Sequence, residues 1–494
     1  MAIASPPAVT ADPAARSRFI NDRLPEQPLF SEVKRPIQEG TRAAWRLSPE
    51  PFWLSPIAVA FLEQLGRDLL AFYRATNSLY FASVRGTQPA WVADYFDRGR
   101  PSQLIDYGRL NRTRSHLPGV IRPDLLLTPD GFLATELDSV PGGIGFGACL
   151  AGPYSELGYP LIGGPSGMLD GFSAMLARAA GEPRPATAIV VSEESGDYWD
   201  EMSWLARTLT ARGHPVHAVR PQDVHFTEQG LLVPEGGSPG PRDPTETDPS
   251  RPLVPIKVLY RFFELYDIKN VPKWELMLYA MKKQLVVLTP PVKSFLEEKL
   301  SFALLHHPAL AGFWREHLKP DGFERLKRVI PPTWILDPRD LPPHAIIPGL
   351  DVAGRPVQSW QQLLGLSQKE RQLVIKPSGY SATAWGSRGV KVGHDLPEEE
   401  WNQAVREALE AFPVTRYVLQ RFHHTARRVV EWYDFASGEI CRMPGRVRLT
   451  PYYFVTGEGE VTLGAATATV VPMDKKLIHG MVDAVIVPCA IRRE

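Results

Sequence analysis

Residues 120–147 read VIRPDLLLTPDGFLATELDSVPGGIGFG, and the fold turns on how this stretch is read. Residues 125–127 and 132–137 have strand character. Between them, Thr128-Pro129-Asp130-Gly131 is turn chemistry: proline presets φ at its second position and glycine accepts a positive φ at its last. A three-residue loop closed by glycine sets Thr128 opposite Phe132, and counting back pairs Asp124 with Glu136 and Arg122 with Asp138. Side chains alternate along a strand, so these four charged residues share one face, while Leu125, Leu127, Leu133 and Leu137 fall mostly on the other. Three carboxylates beside one arginine repel one another unless a cation sits among them, and hard oxygen ligands at this density point to Mg²⁺ rather than zinc. The plainer alternative is a solvated hairpin whose polar face meets water.

Composition narrows the class of answer. The 494 residues are a soft prior for about two to four domains, and 44% apolar residues suffice for sizeable cores. Lys plus Arg and Asp plus Glu number 55 each, with no long basic run, which argues against nucleic acid or an anionic membrane surface and for small-molecule partners. Cys149, Cys441 and Cys489 are too few and too scattered for a disulfide framework or a metal site, so free thiols in a reducing compartment are expected. The N-terminal MAIASPPAVTADPAARSRF has no apolar core behind a basic start, and no apolar run of about 18 residues occurs. A soluble, cytoplasmic protein is the expectation.

Outward from the hairpin, residues 1–16 are Ala- and Pro-rich and expected to fray, and residues 56–82 place apolar side chains at helical spacing. The glycines of PGGIGFGACLAG let backbone approach a ligand or a strand, but the run lacks both the GxxxxGK[ST] and the GxGxxG spacing. Residues 188–191, 198–212 and 215–219 read as strand, helix and strand, a Rossmann-like unit continued by strands at 254–263 and 284–288. Within it, the Pro-, Gly- and acid-rich residues 234–252 are expected to form a mobile surface insertion. Arg261 reads as an ion-pair partner of Glu264 or Asp267, or as a contact for an anionic substrate.

Residues 292–307 read as a helix that includes Lys299. Residues 372–392, QLVIKPSGYSATAWGSRGVKV, read as a strand ending in Lys376, a Gly/Ser loop, and a second strand. Such a loop can lay backbone N–H groups on phosphate oxygens while the lysine neutralises charge. A helix at 398–412 and strands at 416–422, 429–434 and 446–471 follow, and Arg446 and Arg448, two apart, face one side where they could hold carboxylate or phosphate.

Taken together, VIKPSG…GSRGV, VLQRF and RPD followed by ExD twelve residues after the Asp resemble an ATP-grasp ligase. The hairpin precedes the lid, which is the order of circularly permuted members similar to the synthetase domain of glutathionylspermidine synthase. Over roughly residues 100–480 the resemblance implies an α/β (α+β) fold with a metal-binding part of the core over 101–185, preceded by the helical N-terminal region, residues 1–100, read from apolar spacing. A Rossmann-like pre-ATP-grasp domain then spans 186–292, and the lid with the rest of the core spans 293–494.

By position it implies that Asp124, Glu136 and Asp138 hold Mg²⁺, with Asp138 standing where the family usually has Asn, and that Arg122 stabilises the transferring phosphoryl. Lys299 and Lys376 fall on ATP phosphates, Gly379, Ser381 and Gly386 in the lid, and Gln420 at the adenine hinge. The implied activity is ATP-dependent ligation of a small carboxylate to an amine, with ATP and Mg²⁺ as cofactors. The alternatives are a phosphotransferase and a non-catalytic nucleotide-binding regulator.

Overall fold

The computed structural model describes residues 11–26, 29, 40–239, 251–342, 345–384, 388–475, 478 and 483–492. The hairpin consists of strands Val120–Thr128 and Gly131–Asp138. Its register reaches the expected pairs by a different route. Thr128 pairs with Gly131, so the loop holds two residues rather than three, and the ladder runs one step out of the expected register as far as Leu125 opposite Ala134. A β-bulge at Thr135 absorbs the difference, after which Asp124 faces Glu136 and Arg122 faces Asp138. Bulges re-aim side chains beside functional sites. Without this one, Asp124 would face Thr135, and Glu136 would point to the opposite side of the sheet.

The hairpin forms one edge of a seven-stranded sheet. Strands follow in the order Phe52–Leu54, Val485–Ile491, Val461–Pro472, Glu439–Val455, Val120–Thr128 and Gly131–Asp138, and Arg427–Asp434 pairs with the early part of Glu439–Val455. Across it lies the helix Pro56–Val84, started by a Ser55 side-chain cap and by proline in its first turn. Leu62, Leu65, Leu69 and Phe72 recur at helical spacing and are buried, each contributing about 1.5–3 kcal/mol of apolar burial. Gly66 allows the close approach, since a Cβ there would sit 2.5 Å from the Tyr453 ring, and the Tyr453 hydroxyl donates to Leu62 O at 2.7 Å.

A second, parallel sheet orders Val287–Thr289, Val258–Phe262, Thr187–Val191 and Val216–Val219, with the helix Trp199–Ala211 following Thr187–Val191 in sequence. The strand–helix–strand alternation read at 188–219 is therefore present, while 254–263 splits into Leu253–Pro255, which pairs in a separate antiparallel sheet, and Val258–Phe262 of this one. A third, antiparallel sheet orders Thr333–Ile335, Tyr417–Arg421, Leu373–Pro377 and Lys391–Val392, backed by the helix Glu398–Glu410.

Three local expectations are corrected. Residues 292–307 do not form one helix: a 3-10 turn at Ser294–Leu296 precedes a short helix at Leu300–His306, and Lys299 is its N-cap. The break serves inward-facing charges, because buried Lys293 and Glu298 and half-buried Glu297 turn to different partners and could not do so from one helical face. Arg261 pairs with Glu297, not with Glu264 or Asp267.

The described ends of the 234–252 insertion are also anchored. Gly236 N donates to His217 Nδ1 at 3.1 Å, and the Ser238 hydroxyl donates to Asp223 Oδ2 at 2.6 Å. Residues 240–250 lie outside the described residues. Among the described residues no helix is long and apolar enough to cross a membrane.

Candidate active site

A cavity of about 430 Å³ lies between the charged face of the hairpin and the third, antiparallel sheet. From the hairpin and the adjacent long strand come Asp124, Thr135, Glu136, Arg446 and Arg448; from the antiparallel sheet come Lys376 and Gln420. Leu126, Leu133, Val374 and Val392 supply an apolar floor and roof, and His423, His424 and Thr425 line the segment that links the two sheets.

The ion pairs are specific. Arg122 lies between two carboxylates, with Nε 3.3 Å from Asp124 Oδ1 and Nη2 3.1 Å from Asp138 Oδ2. Arg448 Nη1 donates to Asp124 Oδ2 at 2.9 Å, and Lys299 Nζ is 2.6 Å from Glu136 Oε1. The cations that offset the crowded carboxylates are thus supplied by the protein itself.

The electrostatics follow from burial and these partners. Burial opposes ionisation of Glu136, but Lys299, Lys376 and Arg122 outweigh it and hold its pKa below the usual carboxylate value. Asp138 moves the other way: burial, with Asp124 and Glu136 nearby, raises its pKa despite Arg122 and the Val140 amide. Burial pulls Lys376 down to about 8, partly offset by Glu136 and reinforced by Lys299. Its ammonium donates to Gln420 Oε1 at 2.9 Å and to Thr135 O at 3.1 Å, so the bulge that turns Glu136 inward also supplies a carbonyl for the lysine.

Fit to a metal and an anion rests on atoms left without hydrogen-bond partners. Asp124 Oδ1 is buried and accepts no hydrogen bond, and it belongs to a donor set of hard carboxylate oxygens suited to Mg²⁺. Facing the same cavity, Arg446 Nε and Nη2, Arg448 Nε and His423 Nε2 are buried without hydrogen-bond partners. Leaving such a donor unsatisfied costs about 1–3 kcal/mol, which an anionic occupant would relieve. As the side chains stand, no three His, Cys, Asp or Glu among the described residues converge to hold an ion.

Asp124, Glu136, Lys376 and Gln420 line the cavity, while Arg122, Asp138 and Lys299 border it through the ion pairs above. Gly379 and Ser381 do not line it. Gly379 packs against the Glu297 carbonyl, where a Cβ would come within 1.6 Å, and Ser381 Oγ is hydrogen-bonded to Thr383. Gly386 lies outside the described residues. Gln420 sits on a central strand between Thr333 and Val374, with its side chain bound to Lys376 and Thr333, and the chain leaves the sheet only after it.

The glycine-rich run is not part of this cavity: Gly143, at φ +92°, starts the helix Ile144–Glu156, and the Gly143 and Gly145 amides donate to Glu201 Oε1 at 2.8 and 2.9 Å. A carboxylate of the chain fills that anion-binding nest. Sequence reading missed His423, Thr425 and the Arg448–Asp124 pair; only the alternation of Arg446 and Arg448 carried a signal.

No protein-family profile and no curated protein matches the chain. Among solved structures, the chain is similar to a glutathione synthetase-like effector from Globodera pallida, solved in its apo form, with a TM-score of 0.55 at 11% identity over 98% of this chain and 99% of the other. A candidate gamma-glutamylcysteine synthetase from Methylobacillus flagellatus matches with a TM-score of 0.38 at 11% identity, over 87% of this chain and 86% of the other, a likeness too distant to carry an argument. At this identity the first likeness is one of fold: this chain and the effector share a mixed α/β architecture along nearly their whole lengths.

Proposed function

We propose that the chain is an ATP-dependent carboxylate–amine ligase of circularly permuted ATP-grasp architecture. The observation that carries this reading is the cavity itself. Unpartnered guanidinium nitrogens of Arg446 and Arg448 and the Lys376 ammonium face it together with the hairpin carboxylates. Buried cations opposite hard oxygen ligands suit a polyphosphate carrying Mg²⁺, and the apolar faces of Leu126, Leu133 and Val374 suit a nucleobase. The likeness in fold to a glutathione synthetase-like protein agrees with this reading.

In this account Lys376, Lys299 and Arg448 bind and orient the phosphates, and the segment from Gln420 to Thr425 holds the base at its edge. Asp124, Glu136 and Asp138 would hold Mg²⁺, which when bound neutralises charge on the phosphates. Arg122, fixed between two carboxylates, stabilises the γ-phosphoryl as it passes to an oxygen of the substrate carboxylate, releasing ADP. The neutral amine then attacks the acyl phosphate carbon, phosphate leaves, and the nitrogen passes one proton to the departing phosphate or to solvent, giving the amide. The lid strand, through Val390 and Val392, excludes water that would otherwise hydrolyse the acyl phosphate.

The test is an assay of the purified chain with ATP, Mg²⁺ and pools of carboxylates and amines. Phosphate release that needs both pools supports ligation. A phosphorylated acid as the stable end product would show a phosphotransferase instead, and nucleotide binding without turnover a regulator.

A further inference from the structure

Each hairpin carboxylate already has a protein cation, and the cations come from different elements. Arg448 on the strand Glu439–Val455 holds Asp124, Lys299 at the start of Leu300–His306 holds Glu136, and Arg122 holds Asp138 from within the hairpin. A divalent ion entering this face must part at least one of these pairs. It then leaves a freed cation beside two positive charges in a shielded place, where repulsion is strong.

Arg122 remains bonded between its two carboxylates, so the cation best placed to leave is Arg448. Its Nη1 is tied to Asp124, its Nε has no partner, and the side chain lines the cavity. Swinging away from Asp124 gives up one ion pair and carries the guanidinium further into the cavity it already lines. Asp124 Oδ2 is thereby released next to Oδ1, which accepts no hydrogen bond and keeps only its ion pair with Arg122 Nε at 3.3 Å.

We propose that Arg448 is an exchangeable stand-in for the metal: it occupies Asp124 in the nucleotide-free protein and passes to phosphate oxygens when nucleotide arrives. Divalent cation and nucleotide therefore bind as a unit. The proposal rests on the reading of the cavity as a nucleotide site. By thermodynamic reciprocity, whatever factor the nucleotide adds to metal affinity the metal adds to nucleotide affinity.

The distinguishing consequence is that removing an active-site arginine should tighten metal binding. In a titration of the full chain with Mn²⁺, following free Mn²⁺ by electron paramagnetic resonance without nucleotide, Arg448→Gln should bind Mn²⁺ at least about tenfold more tightly than the unsubstituted chain, the scale of a typical coupling between sites. Arg448→Lys, which keeps a cation, should remain weak, and ADP affinity should fall in Arg448→Gln. If Arg448→Gln does not fold, Arg448→Met, which keeps the apolar stem, takes its place under the same expectation. Nucleotide-free Mn²⁺ affinity unchanged in a folded Arg448→Gln or Arg448→Met protein overturns the exchange while leaving the nucleotide site standing. An unsubstituted chain that binds no ADP at any Mn²⁺ concentration overturns the nucleotide reading itself, and the exchange with it.

Discussion

Lys376 Nζ donates to Gln420 Oε1 at 2.9 Å across neighbouring strands of the third, antiparallel sheet, and Gln420 Nε2 donates in turn to Thr333 Oγ1 at 3.1 Å. The amide is fixed from both ends, so the lysine is aimed at the cavity before any ligand arrives. Prior orientation of this kind lowers the cost of ordering a charged side chain on binding.

Lys376→Met should therefore weaken ATP binding or phosphoryl transfer by at least about 2 kcal/mol, the scale of a charge-assisted hydrogen bond removed from a shielded site. Titration calorimetry and turnover together check it. Both quantities unchanged would remove Lys376 from the site. Lys299→Met carries the same expectation, and it also breaks the pair with Glu136.

The depressed pKa of Lys376, about 8, gives nucleotide binding a pH dependence of definite sign. Phosphate favours the ammonium form, so the complex has the higher pKa and binding near pH 8.5 takes up protons, whereas near pH 6.5 the lysine is already charged and contributes none. Affinity should fall as pH rises above about 8. Calorimetry in two buffers of different ionisation enthalpy measures the uptake, and Lys376→Met should abolish this component.

The insertion at 234–252 divides into parts with opposite expectations. Ser238 accepts from Arg220 N at 3.0 Å and donates to Asp223 Oδ2 at 2.6 Å, so Ser238→Ala should cost about 1 kcal/mol or more in denaturant unfolding. Excising residues 240–250 with a short Gly/Ser joint should shift the melting temperature little. A large loss on that excision would show that those residues pack on the fold or at a subunit interface.

Glu136 and Asp138 should respond differently to loss of charge. Glu136→Gln removes both the Lys299 partner and a carboxylate at the centre of the site, and turnover should nearly vanish at any Mg²⁺ concentration. Asp138→Asn retains an oxygen at Oδ1, which already accepts from Val140 N at 2.8 Å, so high Mg²⁺ should restore activity. Identical Mg²⁺ titrations for the two variants would contradict the metal assignment.

Much of this was legible in the sequence because periodicity and turn chemistry are local. The hairpin, the alternating unit around Thr187–Val191 and the strand Leu373–Pro377 that carries Lys376 are each signalled within about a dozen residues. The pairing of Asp124 with Glu136 was reached through two compensating features, a loop one residue shorter and a bulge at Thr135, neither of which has a composition cue. Pairings between distant segments left no trace at all. Arg261 with Glu297, Arg448 with Asp124 and Glu201 beneath the glycine run join residues tens to hundreds of positions apart. Helical spacing in 292–307 misled because its charged side chains are held in separate partnerships.

In the proposed reaction a substrate carboxylate is activated by ATP before an amine attacks it. Carboxylates labelled with ¹⁸O in both oxygens, supplied with ATP, Mg²⁺ and the amine pool, report this through the mass of the released phosphate. One ¹⁸O should pass from the carboxylate to each phosphate formed alongside amide. Amide accompanied by unlabelled phosphate, or phosphate release indifferent to the carboxylate, would contradict it.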